Sequence, residues 1–369
     1  MTDFFDKQYG VYIHIPFCKA KCNYCAFVST PDMSLQRAYV NALIDEISKS
    51  AARGSRVDTI YVGGGTPSCL YGWALSDIIS AVYDTFSVDS NAEITVEINP
   101  ESCTREFAAE CAACGVNRVS MGLQSSDDKI LKAIGRLHDR SGFLRAAEIL
   151  RAKFDNISTD IILGLPEQTA ADIETAVNIA SDFCAHVSVY ALTVENGTKL
   201  CADGYAPDDD KTADLYDCAF RLLNDRGYKR YEVSNFALSG RQSRHNGKYW
   251  ACLPYLGFGV AAHGYDGEYV RCRHSDDIAS YIADREVFLT RLSDKDRFNE
   301  YVMLRLRTEN GIDRQNFRRR FGFDIAEKKG KEIARLCADG YIIADDCSVK
   351  IAPEYMFVMN GIIESLMLD

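Results

Sequence analysis

Residues 18–25 read Cys18-Lys19-Ala20-Lys21-Cys22-Asn23-Tyr24-Cys25, a C-x-x-x-C-x-x-C run behind the apolar segment Val11 to Ile15. Three thiolates so close together can all reach one small inorganic centre. Iron–sulfur clusters are held by cysteine thiolates, and a four-iron cube takes four ligands. Three local cysteines therefore suit a [4Fe-4S] cube with one iron left open. A zinc site would ask for four tetrahedral ligands, commonly as two C-x-x-C pairs or with histidines at helical spacing. No second pair stands nearby, and His14 falls within a strand.

Working outward, short β-branched runs alternate with longer helical patterns, the signal for βα units and a parallel sheet. Strands are expected near Val11 to Ile15, Thr59 to Val62, Glu93 to Ile98, Arg118 to Met121, Ile157 to Leu163 and Val187 to Leu192. Helices fit between them at Ser34 to Arg53, Trp73 to Phe86, Thr104 to Cys114, Asp127 to Ile134, Gly142 to Lys153 and Thr169 to Phe183, with Ser34 and Thr104 as N-caps. An eight-stranded barrel would need two further units that the sequence does not supply. In parallel barrels the active site lies at the carboxyl ends of the strands, and the polar motifs fall there.

Gly63-Gly64-Gly65-Thr66-Pro67 follows the second strand. A glycine triplet brings bare backbone against a ligand where any Cβ would collide, although by itself it reads as a tight turn. Glu97 ends the third strand in Glu97-Ile98-Asn99-Pro100, where a carboxylate can accept two hydrogen bonds from vicinal hydroxyls. The fourth strand yields Ser120-Met121-Gly122-Leu123-Gln124, and Arg136 follows in Gly135-Arg136-Leu137-His138, poised for bidentate contact with a carboxylate or for a solvated helix end. Asp160 is an acid inside an apolar strand and calls for a cationic or hydroxyl partner.

Together these motifs resemble the radical S-adenosylmethionine (SAM) superfamily. Tyr12-Ile13-His14-Ile15-Pro16-Phe17-Cys18 is similar to the lead-in of one branch, the oxygen-independent coproporphyrinogen III oxidase and HemW heme-chaperone family. The resemblance implies an α/β fold, an open (β/α)6 barrel. It implies a [4Fe-4S] cluster on Cys18, Cys22 and Cys25, whose open iron is chelated by S-adenosyl-L-methionine and whose electron cleaves SAM to methionine and a 5′-deoxyadenosyl radical. It places SAM contacts at Tyr12, Tyr24, Gly64, Gly65, Thr66, Glu97, Gln124, Arg136, Asp160, Ala191 and His263. Further on, Tyr231-Glu232-Val233-Ser234-Asn235-Phe236-Ala237, His245-Asn246-Gly247-Lys248-Tyr249-Trp250 and Gly257-Phe258-Gly259-Val260-Ala261-Ala262-His263 resemble three ordered motifs of the HemW branch. The H-N-x-x-Y-W motif makes His245 the implied haem ligand. Residues alone would favour His245 and Asn246 capping a turn while Trp250 closes one end of the barrel.

The oxidase branch carries a fourth cysteine where this chain has Phe27, and an N-terminal extension ahead of the barrel; both departures favour the chaperone. The expected function is haem binding and delivery to haem-requiring enzymes. The alternative is the dehydrogenase that converts coproporphyrinogen III to protoporphyrinogen IX. The expected partners are haem or a porphyrin, a haem-accepting protein and an electron donor, with a homodimer allowed for.

Composition sets the outer bounds. The chain has 369 residues, is 47% hydrophobic and 26% charged, and has a formal net charge of -11, which argues against a general nucleic-acid partner because phosphate binding needs a basic surface. No secretory signal or transmembrane run is read, and fourteen scattered cysteines fit a reducing cytoplasm better than a disulfide framework. Cys111 and Cys114 form a C-x-x-C, but on an Ala-rich helix where that spacing stacks two small residues on one face. We expect a radical SAM core over 1–200, an extension with the H-N-x-x-Y-W motif over 201–290, and a small winged-helix-like α+β domain over 291–369. The last expectation rests on helices at Phe298 to Thr308 and Lys328 to Asp339, followed by strands at Tyr341 to Ala344 and Val349 to Ala352.

Overall fold

A computed structural model describes residues 7–368. Six strands lie parallel and in chain order: β1 (Gln8–Ile15), β2 (Arg56–Gly64), β3 (Ser87–Ile98), β4 (Arg118–Gln124), β5 (Ile157–Leu163) and β6 (His186–Ala191). Between them run α1 (Gln36–Ser48), α2 (Ala74–Thr85), α3 (Arg105–Ala113), α4 (Asp128–Ala133), α5 (Arg140–Arg151) and α6 (Ala170–Phe183). This is the partial (β/α)6 barrel expected from the sequence. Beyond β6 come α7 (Lys199–Ala202), α8 (Asp209–Asp225), β7 (Lys229–Arg230) and β8 (Asn235–Ala237), the two strands adding antiparallel at that edge.

At the opposite edge β9 (Tyr255–Phe258) pairs parallel with β1, and β10 (His263–Tyr265), β11 (Val270–His274) and β12 (Val287–Arg291) follow antiparallel. One twelve-stranded sheet results. The acidic stretch around Asp276 to Asp296, read as a passage between units, forms α10 (Ile278–Asp284) and the edge strand β12. Asp277 caps that helix through the Ser280 N–H, a local signal that the charge run masked. The first helix also differs from expectation. Asp32, not Ser34, caps a 3-10 turn at Met33–Leu35, and α1 starts only at Gln36.

The strands alternate in a way that decides the interior. Outward residues such as Val11, Ile13, Ile60, Val62, Ile94, Val96, Val119 and Met121 join the helices in the main apolar core. The intervening positions carry polar side chains into the barrel, and the register stacks them in rows. Tyr12, Tyr61, Thr95 and Arg118 form one row; the next runs His14, Gly63, Glu97, Ser120, Ser158 and His186. Both faces are buried, so each strand still reads as near-continuous burial.

The C-terminal unit runs α11 (Asp294–Leu306), β13 (Ile312–Asp313), α12 (Arg314–Phe321), α13 (Ile325–Ala338), β14 (Ile342–Ala344), β15 (Ser348–Ile351) and α14 (Asn360–Ser365). Helix–strand–helix–helix–strand–strand with sheet order β13-β15-β14 is winged-helix topology. The sequence reading lacked β13 and α12, since a two-residue strand and an arginine-rich turn of helix leave little periodicity. Capping boxes at Ser293 with Asp296 and Asp324 with Glu327 start α11 and α13. Phe298, Tyr301, Phe317 and Ile325 anchor this second core.

Candidate functional site

At the carboxyl ends of β1 to β6 a cavity of about 620 Å³ opens, within the size range of small-molecule sites. Its wall includes Cys18, Cys22, Tyr24, Cys25, Gly64, Gly65, Glu97, Gln124, Arg136, Asp160 and Ala191. Eleven residues expected from sequence thus meet around one space. The three thiols share this wall, while among the described residues no three His, Cys, Asp or Glu side chains converge as they would on a single metal ion. A cube spreads three protein ligands over three irons, and three thiols on one wall suit it. Burial raises the pKa of Cys18 and Cys25, a cost that iron ligation would offset by taking the thiolates.

A hydrogen-bonded chain ties the cysteine loop to the strand ends. The Cys18 thiol lies 3.3 Å from the Thr66 hydroxyl, Asn99 Nδ2 donates to that hydroxyl at 2.7 Å, and Arg136 donates to Asn99 Oδ1 at 2.8 Å. Arg136 also reaches Cys22 Sγ at 3.7 Å. Asn99 was quoted in sequence within E-x-N-P but given no role; its place between Thr66 and Arg136 emerges only in three dimensions. Thr66 acts from behind this wall rather than in it.

Glu97 accepts from the Tyr61 hydroxyl at 2.6 Å and from the Gly64 N–H at 3.0 Å. Burial raises its pKa, opposed by those two hydrogen bonds, and Asp160 is raised for the same first reason, with Ser188 and Arg118 opposing. Arg118 was missed as a site residue because it begins β4 and reads as a strand terminus. It is 2% exposed inside the barrel, with Nε unpartnered, and its charge acts on both acids. Gln124 sits at φ 65° where β4 shifts register, a strained backbone that turns its amide to the cavity.

The glycine triplet serves the protein's own packing as much as any ligand. A Cβ on Gly64, at φ +105°, would strike the His14 ring, and one on Gly65 would lie 2.7 Å from the Ile15 carbonyl. Bare backbone here lets the loop lie directly on β1.

Three expected contacts fall elsewhere. Tyr12 is one layer below the cavity, stacked on Tyr61 at 6.2 Å with its hydroxyl 3.1 Å from His14 Nδ1. His263 lies on β10, exposed and outside the cavity wall. His245 lies at the other end of the barrel. It opens α9 (Arg244–Trp250), a helix that plugs the amino-terminal end of the barrel. Glu93 accepts the backbone N–H of Arg244 and of His245 at 3.0 and 2.9 Å, and Lys248 pairs with Asp58 at 2.6 Å. The His245 ring is fully buried, with Nδ1 2.9 Å from the Thr59 hydroxyl and Nε2 2.7 Å from that of Tyr249. Both nitrogens are hydrogen-bonded and burial lowers its pKa to about 3.

The Radical SAM superfamily profile matches residues 12–180 and the HemN C-terminal domain profile residues 292–354. "Heme chaperone HemW" of Lactococcus lactis is 31% identical, covering 98% of this chain and 98% of its own length. The chain belongs to the HemN/HemW-like radical SAM family. Within this family, "Heme chaperone HemW" of Bacillus subtilis is 34% identical over 85% of this chain and 87% of its own length. The mouse mitochondrial "Radical S-adenosyl methionine domain-containing protein 1" is 32% identical over 97% and 87%. The crystal structure of coproporphyrinogen III oxidase (HemN) from Escherichia coli superposes with a TM-score of 0.85 over 98% of this chain and 90% of its own, at 20% identity. The radical SAM family brings a [4Fe-4S] cluster and SAM, and the thiol wall with its Thr66–Asn99–Arg136 support suits them. Among the described residues no helix is long and apolar enough to cross a membrane.

Proposed function

We propose that this chain is a HemW-type heme chaperone, a radical SAM protein that binds haem and delivers it to a haem-requiring protein in the cytoplasm. The observation that carries the reading is similarity to proteins named heme chaperone, at 31% identity over 98% of this chain and 34% over 85% for the two cited above. Phe27 supports it, standing exposed at the cavity mouth where the oxidase branch has a cysteine.

In this reading Cys18, Cys22 and Cys25 hold the cluster, and Tyr24, Gly64, Gly65, Glu97, Gln124, Arg136, Asp160 and Ala191 surround SAM. The cluster, when bound, supplies an electron for SAM cleavage. The chain's own residues orient and enclose. Glu97, held by Tyr61 and Gly64, presents its remaining acceptor capacity to ribose hydroxyls, and Arg136 fixes one thiolate while facing the cavity. Phe27, Leu137 and Tyr190 form an apolar rim, 67%, 55% and 41% exposed.

Anaerobically reconstituted protein titrated with haem, and separately assayed with coproporphyrinogen III, SAM and reductant, tests the proposal. Stoichiometric haem binding without protoporphyrinogen formation is expected. Turnover without specific haem binding would replace the chaperone by the dehydrogenase.

A further inference from the structure

Arg118 begins β4, belongs to an inward row of the barrel and is 2% exposed. Its Nε is unpartnered, and its guanidinium forms no hydrogen bond or ion pair among the described residues. Charged side chains are almost never fully buried unless paired, and a lone cation in a protein interior is costly. The register sets it under two acids. Arg118 stands one inward position below Ser120, which is opposite Glu97, and two below Gly122, which is opposite Asp160. Inward positions recur about every 7 Å along a strand, so an arginine side chain rising through the lumen ends beneath both.

Glu97 and Asp160 both line the cavity. Burial works against the charge of each, and Asp160 adds to the rise on Glu97. Two carboxylates in one poorly solvated space do not ionise together without a counter-charge. Arg118 opposes the rise on both acids, whereas Arg136 opposes it on Asp160. The protonation state matters to a ligand. An ionised carboxylate only accepts hydrogen bonds, while a protonated one carries a donor in place of an acceptor. We propose that Arg118 is a positioning residue for SAM: from behind the cavity wall it keeps Glu97 and Asp160 ionised together, so that both present acceptors to the ligand. This rests on the SAM placement proposed above. Arg118 itself lies outside the wall and acts only through the two acids.

The other groups facing these three keep one charge state near neutral pH. Burial raises Tyr12, Tyr61 and Tyr249 around Glu97, and Tyr190 and Tyr231 toward β6. Burial, aided by the charge of Arg118, lowers His186 and His245. Glu232, by Tyr190 and Tyr231, is pushed up by burial to about 7. It titrates alike in wild type and variant and so drops out of their ratio.

SAM affinity of the full-length, cluster-loaded chain, measured calorimetrically from pH 6.5 to pH 9, tests the role. In Arg118→Met an acid holds a proton at pH 7, and the dissociation constant should rise about tenfold for each pKa unit by which that acid outlasts neutrality. The deficit should then shrink steadily toward pH 9 as the proton leaves. Arg118→Lys supplies the same single charge and should stay within about threefold of wild type throughout. Unchanged affinity in Arg118→Met at pH 7, or a deficit that is constant across the range, would leave only a packing role and overturn the proposal. If Arg118→Met does not fold, Arg118→Gln takes its place with the same outcomes. Glu97→Gln separates the two readings, since it should weaken SAM binding at every pH. Wild-type affinity in Glu97→Gln would sink the SAM placement; an impaired Glu97→Gln beside a pH-independent Arg118 variant refutes the role of Arg118 alone.

Discussion

His245→Ala removes a ring that is wholly enclosed between Thr59, Tyr61 and Tyr249. Thr59 Oγ1 and the Tyr249 hydroxyl each lose a partner in the interior, and an orphaned buried polar group costs about 1–3 kcal/mol. The vacated ring adds a cavity, which the polar lumen can partly refill with water. The expected loss is about 3–5 kcal/mol, a large part of the roughly 5–15 kcal/mol that holds a typical native state together. Equilibrium urea unfolding, read by far-ultraviolet dichroism and by tryptophan emission, would register it. Trp250 lies on the same helix, so its emission reports the plug directly. His245→Gln, which keeps one polar contact, should lose roughly half as much. A His245→Ala chain within about 1 kcal/mol of wild type, at unchanged slope, would show that the ring is not the closed structural element described here. The consequence for function is direct: failure of His245→Ala to hold haem would report a disturbed barrel end before it reported a missing ligand.

Gly64→Ala should destabilise by about 1–3 kcal/mol, because alanine resists the positive φ and its methyl meets the His14 ring; a thermal midpoint equal to wild type would refute the packing account. Arg136→Met removes charge-assisted hydrogen bonds to Asn99 and the Cys22 thiolate, and SAM affinity measured calorimetrically on reconstituted protein should fall about 10–100-fold for a loss of roughly 1.5–3 kcal/mol. Around His274, burial pulls the pKa down but the hydrogen bond and charge of Glu46 outweigh it, so the net shift is upward. A raised folded pKa contributes stability that is complete below the unfolded value, near 6.5, and is lost as pH rises through the folded value. The gap in thermal midpoint between wild type and Glu46→Gln should therefore narrow from pH 6 to pH 8.5, and a gap that widened would contradict the assignment. Cys22→Ala should lose most bound iron after reconstitution, measured per chain by colorimetric assay, with the barrel's dichroism retained.

The sequence by itself determined the cluster loop, the six βα units and the winged helix in outline, because each depends on local spacing: thiols within a few residues, β-branched runs of strand length, capping residues before apolar periodicity. It also brought Glu97, Gln124, Arg136 and Asp160 to the right end of the barrel, since strand polarity orders the ends of parallel strands. Register and closure were another matter. Only the folded chain shows that Arg118 lies under Glu97 and Asp160, that Asn99 joins Thr66 to Arg136, and that the glycine triplet is shaped by His14 and Ile15. The two motif histidines make the point most sharply. His245 and His263 stand eighteen residues apart, each in a family-like motif, and nothing in their neighbours separates a ligand from a packed side chain. One begins a helix that closes the barrel and gives both nitrogens to hydroxyls; the other stands on a three-residue strand with its ring open to solvent. That distinction is a matter of long-range burial and hydrogen bonding, which exist only once the distant strands have met.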